Sequence, residues 1–286
     1  MKNMYVIGGS ASINIAEELA SMIGASMANI ASQRFPDGEF YFRILDDVKE
    51  DEVLIVQTTY PDQNLVELLL IQSALKEAGA KKITVVIPYY GYARQDTKFN
   101  DGEAISAKAI AKLISLNADQ IITVDPHKEH ILGFFSVPAL SCTAIPEIAK
   151  YLKQKNIDMV LAPDKGALEK AKQTSNIINC DFDYMEKTRI DGSTVEMKPK
   201  KLNAEGKTVA IVDDIISTGG TMALAIKQLK KNKAEKVFVA CTHGLFADEA
   251  IRKLTDAKCD EIISTDTINS KYSKVKIASA IARHIL

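Results

Sequence analysis

The sequence lacks a long apolar segment. Its most apolar helical stretch, residues 65–75, is interrupted by Glu67 and Gln72 and is too short to span a bilayer. The first residues also differ from the apolar core of a signal peptide, because Met-Tyr-Val-Ile at positions 4–7 followed by Gly-Gly-Ser predicts a strand and a turn. These features predict a protein with no membrane partner.

Charge of one sign and closely spaced cysteines are missing as well. The chain carries 36 Lys and Arg against 37 Asp and Glu, with no run of five like charges, so it lacks the basic surface of a nucleic-acid-binding protein. Its four cysteines form no CxxC motif, which argues against a zinc site and against a disulfide framework. We therefore expect a reduced, cytoplasmic protein that binds no nucleic acid.

The length and the apolar pattern predict two α/β domains. A chain of 286 residues exceeds the usual size of one domain. Short apolar runs without polar alternation are typical of strands buried on both faces. They occupy residues 53–56, 83–87, 121–124, 159–162, 209–212, 237–240 and 262–265. Amphipathic stretches at 65–78, 104–116 and 221–231 predict helices between them, and this alternation favours mostly parallel sheets flanked by helices.

The two halves of the chain resemble each other. Residues 75–86 are similar to residues 229–240, and residues 118–125 are similar to residues 259–266, so one copy spans about half the chain. We expect a duplication with a boundary near Pro146, which gives an N-terminal domain of residues 1–145 and a C-terminal domain of residues 146–286.

The strongest functional motif is Val-Ala-Ile-Val-Asp-Asp-Ile-Ile-Ser-Thr-Gly-Gly-Thr at positions 209–221. Asp213 and Asp214 can accept hydrogen bonds from vicinal sugar hydroxyls at the end of the apolar strand. The small residues that follow can direct N–H groups and hydroxyls at a phosphate where a helix begins. The pattern fits a sugar phosphate, and it resembles the phosphoribosyl-pyrophosphate signature shared by phosphoribosyltransferases and by the synthetase of that compound.

Three further motifs, at 88–96, 125–127 and 163–166, also follow predicted strands, where ligands bind in open α/β sheets, and we expect them to line one cleft with the acid pair. In the first half, Phe-Pro-Asp-Gly-Glu at 35–39, Pro-Tyr-Tyr-Gly-Tyr-Ala-Arg-Gln-Asp at 88–96 and Asp-Pro-His at 125–127 resemble the ATP-binding segments of ribose-phosphate pyrophosphokinases. In the second half, Pro-Asp-Lys-Gly at 163–166 is similar to the pyrophosphate loop of that family. Glu-Lys-Thr-Arg at 186–189 is similar to the start of its mobile catalytic loop.

The resemblance, which is closest to the archaeal type, implies a reaction and a set of roles. The β,γ-diphosphate of ATP moves to the C1 hydroxyl of ribose 5-phosphate, with Mg²⁺ as cofactor, and the products are AMP and 5-phosphoribosyl 1-diphosphate, a precursor for nucleotide biosynthesis. It implies catalytic roles for Lys187 and Arg189 and metal ligation by His127 and Asp164. The residues implied for ATP are Phe35, Asp37, Glu39, Arg94, Gln95, Asp96 and His127. Those implied for ribose 5-phosphate are Arg189, Asp213, Asp214, Ser217, Thr218, Gly219, Gly220 and Thr221.

The resemblance also implies an assembly, and two alternatives stay open beside it. The family pattern implies a homodimer or a higher homo-oligomer, in which the adenine-binding loop of one subunit completes the site of its neighbour. The chain departs from that pattern mainly at Ala167, in place of a second glycine, and at Lys170, in place of an arginine; Thr97, Pro126 and Ser217 are smaller departures. The alternatives are a phosphoribosyltransferase and a catalytically silent homologue that binds nucleotide and regulates an active enzyme.

Overall fold

The computed structural model describes residues 4–189, 195–198 and 203–286 of the chain. They fall into two compact units, one reaching to Thr143 and including Ile277–Leu286, the other spanning Ala144–Lys276. The first unit contains β1 (Met4–Gly8), α1 (Ile13–Ile23), β2 (Ser26–Met27), β3 (Ile30–Arg34), β4 (Phe40–Ile44), β5 (Glu52–Val56), α2 (Asp62–Glu77), β6 (Lys82–Ile87), α3 (Ser106–Ser115), β7 (Gln120–Val124) and β8 (Ala139–Cys142).

The second unit repeats this alternation of strands and helices. It contains α4 (Ile145–Lys153), β9 (Met159–Ala162), α5 (Leu168–Ile178), β10 (Asp181–Tyr184), β11 (Glu186–Arg189), β12 (Val195–Lys198), β13 (Thr208–Ile216), α6 (Gly220–Lys231), β14 (Lys236–Gly244), α7 (Ala250–Asp256), β15 (Glu261–Thr265) and β16 (Ser273–Val275). A last helix, α8 (Ala278–Ala282), belongs to the first unit. Within the described residues, no helix has both the length and the apolar character needed to cross a bilayer.

Each unit has one six-stranded sheet in which all neighbouring strands are parallel. The order is β2-β1-β5-β6-β7-β8 in the first sheet and β10-β9-β13-β14-β15-β16 in the second. Each sheet also has an antiparallel hairpin between its second and third strands along the chain, β3–β4 in the first and β11–β12 in the second. The same topology therefore occurs twice, which confirms the predicted architecture of two α/β domains with parallel sheets.

The core of each unit forms where helices cover both faces of the central strands. In the first unit, Ile55 of β5 and Val85 of β6 are fully buried and cluster with Leu68 and Leu75 of α2. In the second, Ile211 of β13 occupies the corresponding place. This burial on both faces is why these strands appear in the sequence as continuous apolar runs.

The last ten residues, 277–286, lie with the first unit rather than the second. The helix α8 contacts α1, and Ala278 and Ile281 are buried there. A division of the chain at 145/146 places this segment in the C-terminal half. The apolar face of α8 instead brings it back to the N-terminal unit, which a duplication boundary read from the sequence does not reveal.

Candidate functional site

The predicted site residues follow the carboxyl ends of parallel strands in each unit. In the first unit, residues 88–96 follow β6 and residues 125–127 follow the neighbouring β7. In the second, residues 163–166 follow β9, and the acidic motif lies on the adjacent β13. Because parallel strands end at the same edge of a sheet, each unit collects its polar side chains at one edge.

The loop at residues 35–39 connects β3 to β4 in a tight turn. The N–H of Phe35 donates to the carbonyl of Glu39 at 2.8 Å, and the N–H of Gly38 donates to the carbonyl of Phe35 at 2.9 Å. Asp37 Oδ1 accepts the N–H of Glu39 at 3.1 Å, and Gly38 has a φ of +95°, a conformation that favours glycine. The turn leaves the side chains of Phe35, Asp37 and Glu39 exposed.

The segment after β6 is anchored by its tyrosines. The hydroxyl of buried Tyr90 donates to the carbonyl of Ala107 at 2.6 Å, and burial raises the pKa of this phenol. The exposed Tyr92 donates its hydroxyl to Asp62 Oδ1 at 2.8 Å. These contacts fix the backbone that leads to Arg94, whose side chain is exposed and available to an anionic ligand.

Gln95 and Asp96 contact protein groups beside this loop. The Nε2 of Gln95 donates to Glu103 Oε2 at 3.3 Å. Asp96 Oδ2 lies 3.3 Å from His130 Nε2, and the Asp96 side chain is 12% exposed. His130 carried no motif signal. Its position five residues beyond Asp125, in the segment that follows β7, the strand adjacent to β6, is the indication that would have connected it with Asp96.

The third segment of the first unit begins at Asp125, directly after β7. Asp125 has a φ of +37° and is buried. Pro126 is also buried, and the following residue, His127, is half-buried. Because β6 and β7 are neighbours in the sheet, His127 lies at the same edge as the Arg94 loop.

In the second unit, residues 163–166 form a short turn before α5. Asp164 is extended and its Oδ1 accepts the N–H of Gly166 at 2.9 Å. Ala167, which stands in place of the second glycine of the family pattern, has a φ of −91° and is buried. No left-handed conformation is needed at this position, so the departure from the family pattern is compatible with the backbone. Lys170 lies in the first turn of α5.

The two acids belong to the strand itself, because β13 continues to Ile216. Asp213 is half-buried opposite Cys241 on β14, and Asp214 is buried. The N–H of Asp214 donates to Asp213 Oδ1 at 2.9 Å. Burial is the largest cause that raises the pKa of Asp213, to about 8, and a side-chain hydrogen bond to Asp214 and the charge of that residue add to it. We therefore expect this pair to hold a proton near neutral pH.

The turn after these acids has the geometry of an anion site. Gly219 has a φ of +71°, and a Cβ there would lie 3.1 Å from the Ala250 backbone, so both conformation and space require glycine. Helix α6 starts at Gly220 and runs for 12 residues. The N–H groups of its first turn have no partners within the helix and favour an anion. Ser217, Thr218 and Thr221 place hydroxyls around this turn.

Lys187 and Arg189 lie on β11, which pairs antiparallel with β12. In this register Lys187 is opposite Met197, and Arg189 is opposite Val195. The hairpin occupies the same place in the second topology that the 35–39 hairpin occupies in the first. The connecting residues, 190–194, lie outside the described residues. The roles of the Lys187 and Arg189 side chains stay predictions.

A duplicated parallel sheet, with an acidic strand end and a glycine turn before a helix, defines a protein of the phosphoribosyltransferase type. Comparison with family models agrees with this class. Residues 4–117 match the N-terminal domain of ribose phosphate pyrophosphokinase, and residues 141–278 match the phosphoribosyl transferase domain.

Relatives match the chain over nearly its whole length. The ribose-phosphate pyrophosphokinase of Methanothermobacter thermautotrophicus is 41% identical, with 97% of this chain and 98% of the relative covered. That of Pyrococcus furiosus is 43% identical, with 97% and 99% covered. The crystal structure of phosphoribosylpyrophosphate synthetase from Mycobacterium smegmatis matches with a TM-score of 0.86 at 30% identity, with 99% and 98% covered. The chain therefore belongs to the ribose-phosphate pyrophosphokinase family of enzymes, which confirms the predicted family.

Proposed function

We propose that the chain transfers the β,γ-diphosphate of ATP to the C1 hydroxyl of ribose 5-phosphate, giving AMP and 5-phosphoribosyl 1-diphosphate. The observation that carries the proposal is the sugar-phosphate geometry at the end of β13. There an acid pair and a glycine turn lie a few residues apart at one sheet edge. The match of the chain to both family domains further supports an enzyme with ATP-binding and ribose-binding segments.

Ribose 5-phosphate would bind along the acid pair and the glycine turn. A pair of carboxyl groups that holds one proton can both accept and donate a hydrogen bond, which suits the two vicinal hydroxyls of ribose. The 5-phosphate would lie at the start of α6, where N–H groups and the helix dipole favour an anion. The residues in this role are Asp213, Asp214, Ser217, Thr218, Gly219, Gly220 and Thr221.

ATP would bind to the exposed groups of the first unit. Phe35 offers an exposed ring face to the adenine, and Asp37 and Glu39 can accept hydrogen bonds from its amino group. Arg94 can donate two parallel hydrogen bonds to phosphate oxygens. Gln95, Asp96 and His127 complete this set. Since Asp96 is already 3.3 Å from His130, we assign it to fixing the loop as well as to ATP.

The chemical step is a displacement at phosphorus. The C1 oxygen of ribose attacks the β-phosphorus and loses its proton, while the bond from this phosphorus to the α,β-bridging oxygen breaks. AMP leaves with that electron pair. The protein's contribution is positioning and charge stabilisation. Lys187 and Arg189 would neutralise the negative charge that develops on the bridging oxygen.

Magnesium is part of the proposal, with Asp164 and His127 as the protein groups beside it. The carboxylate of Asp164, at a strand end next to a backbone N–H, is the oxygen donor that Mg²⁺ prefers. No group of three or more His, Cys, Asp or Glu side chains among the described residues is arranged to hold a metal. Phosphate oxygens and water would thus supply most ligands. Bound Mg²⁺ would neutralise charge on the transferred diphosphate.

The proposal includes an assembly and a compartment. The 35–39 turn projects exposed side chains, so it is suited to completing the site of a neighbouring subunit in a homodimer or higher homo-oligomer. The four cysteines are free, as in proteins of the reducing cytoplasm, where we place the enzyme. ATP and ribose 5-phosphate would be its small-molecule partners.

The test is an assay that identifies the nucleotide product. Protein, Mg²⁺, ATP and ribose 5-phosphate are incubated together and separated by ion-exchange chromatography. The proposal requires AMP in amounts equal to the phosphoribosyl diphosphate formed. The appearance of ADP would indicate transfer of one phosphoryl group. Absence of turnover would favour a nucleotide-binding regulatory homologue.

A further inference from the structure

The tip of the 35–39 turn is tied to its own strand ends by Arg34. This arginine is the last residue of β3, and its Nη1 donates to the carbonyl of Gly38 at 2.9 Å. The carbon of its guanidinium lies 5.4 Å from the centre of the Phe40 ring, at the start of β4. Arg34 therefore contacts both the tip of the turn and the strand that leaves it.

The other side of the guanidinium faces a buried acid. Glu67 lies on α2 with 2% of its side chain exposed, and its Oε2 is 3.6 Å from Arg34 Nη2. Glu67 Oε1 accepts the N–H of Ser10 at 2.6 Å, and Oε2 accepts the Ser10 hydroxyl at 2.6 Å. A carboxylate removed from water needs such partners, so the buried Glu67 should respond to loss of the Arg34 charge beside it.

The position of Ser10 explains why a glutamate is buried there. Ser10 follows β1, and β1 holds in the first sheet the place that β9 holds in the second. In the second unit, the turn after β9 carries Asp164 of the proposed pyrophosphate loop. In the first unit, the corresponding turn receives the carboxylate of Glu67, and Gln57 Oε1 accepts the N–H of Ala11 at 3.2 Å. Side chains of the protein fill the turn where the other copy would receive a ligand.

We infer that Arg34 and Glu67 are positioning residues for adenine recognition. Glu67 is fixed by Ser10 and orients the Arg34 guanidinium, which in turn holds the Gly38 carbonyl and hence the Phe35, Asp37 and Glu39 side chains. The inference rests on the proposed role of the 35–39 turn in binding ATP. Both residues contact the turn or the protein groups that hold it, so we assign their effect to the shape of the turn.

The test compares substitutions at Arg34 and at a matched arginine on the same hairpin. Arg34→Met keeps the apolar stem and removes the hydrogen bond and the charge. Arg43→Met makes the same change at an exposed position of β4. Glu67→Gln removes the charge that faces Arg34. Isothermal titration calorimetry of the whole protein with the non-hydrolysable analogues of ATP and GTP measures binding without requiring turnover.

Arg34→Met and Glu67→Gln should each lower the affinity for the ATP analogue by about tenfold, as loss of one charged hydrogen bond implies. The GTP analogue should be affected less, so discrimination between the two falls. Arg43→Met should leave both unchanged. The double variant Arg34→Met/Glu67→Gln should lower the affinity for the ATP analogue little more than either single variant does, because both substitutions act through one contact.

Equal affinity of wild type and Arg34→Met for the ATP analogue, with the melting temperature unchanged, would overturn the inference. An equal loss of affinity for the ATP and GTP analogues would also overturn the inference. Because Arg34 is one-third exposed, Arg34→Met should fold even where Glu67→Gln does not. The proposed reaction is judged separately, by AMP formation in the wild type, so failure of one does not imply failure of the other.

Discussion

At the scale of single residues, the acid pair on β13 connects stability to function. Asp213 is placed where burial and the neighbouring Asp214 oppose its ionisation, and its pKa rises to about 8 from a usual 3.8. Between these values the folded chain keeps a proton that the unfolded chain releases. The stability contributed by this group is therefore lost as pH rises through the window and is constant above it. Binding sites often retain such unfavourable groups.

Asp213→Asn should remove this pH dependence. The melting temperature of the variant relative to wild type should be higher at pH 8.5 than at pH 5.5, because the amide is neutral at both. The variant should also bind ribose 5-phosphate more weakly than wild type while its affinity for ATP is little changed. Differential scanning calorimetry across this pH range makes the first measurement.

An exposed acid of the same unit provides the control for that series. Asp256→Asn, at the end of α7, should follow the wild-type profile at every pH. If the Asp213→Asn and wild-type melting temperatures kept a constant difference from pH 5.5 to 8.5, the shared proton at this pair would be refuted. Equal loss of affinity for both substrates would instead point to a metal-binding role.

At the scale of elements, the sequence predicts central strands well and edge strands poorly. Strands β6 and β9 are buried at every residue except the first of β6 because both faces are covered, and their apolar runs mark them within a residue or two. Edge strands such as β10, Asp-Phe-Asp-Tyr, are partly exposed and polar, so they resemble loops. Strand β13 extends four residues beyond its apolar run. In this extension the N–H of Asp214 donates to the Asp213 carboxylate at 2.9 Å.

The residues of the candidate site also differ in how far the sequence predicts them. Motifs at strand ends are local patterns, so Arg94, Asp164 and Asp213 can be proposed as site residues from the sequence alone. Contacts across the fold are not local. Glu67 interrupts an apolar stretch in the sequence. It can be buried because Ser10, 57 residues away in the chain, donates hydrogen bonds to its carboxylate. His130 pairs with Asp96 for the same kind of reason.

The turn before α6 should respond differently at its two glycines. Gly219→Ala should destabilise the protein by about 1–3 kcal/mol, because it forces a left-handed φ and a close approach to the Ala250 backbone. Gly220→Ala, which introduces a methyl group into open space at the first position of the helix, should change the unfolding free energy little. Urea denaturation compares the two variants. Equal destabilisation would refute the packing argument.

At the scale of the whole molecule, a duplicated topology has diverged into two kinds of unit. The strand order is the same in both sheets. The second unit keeps the acid pair and the glycine turn, whereas in the first the turn after β1 is occupied by Glu67. The hairpin inserted at the same place carries Phe35 in one unit and Lys187 in the other. In the proposed function, one topology would thus supply both the nucleotide-binding and the ribose-binding segments.

The assembly proposal predicts complementation between two inactive variants. One variant has Asp37 and Glu39 replaced by Ala, and the other has Lys187→Ala; each alone should be nearly inactive. In a dimer whose sites draw on both subunits, a mixed dimer has one intact site and one doubly damaged site. Refolding equal amounts together should restore about a quarter of wild-type activity, since about half the dimers are mixed.

The complementation requires proof that mixed dimers exist. Differently tagged variants, captured in sequence on two affinity columns, isolate them. Activity in this fraction near half the wild-type value per dimer would support composite sites. An inactive fraction of verified mixed dimers would mean that each subunit builds its own site.

The central claim is that the ribose C1 oxygen attacks the β-phosphorus of ATP, and one isotope experiment tests it most directly. ATP labelled with ¹⁸O at the α,β-bridging oxygen is incubated with ribose 5-phosphate, Mg²⁺ and the protein. Mass spectrometry then measures the mass of each product and locates the label. Attack at the β-phosphorus leaves the label in AMP and none in the phosphoribosyl diphosphate. Label in the diphosphate, or ADP as the nucleotide product, would contradict the account.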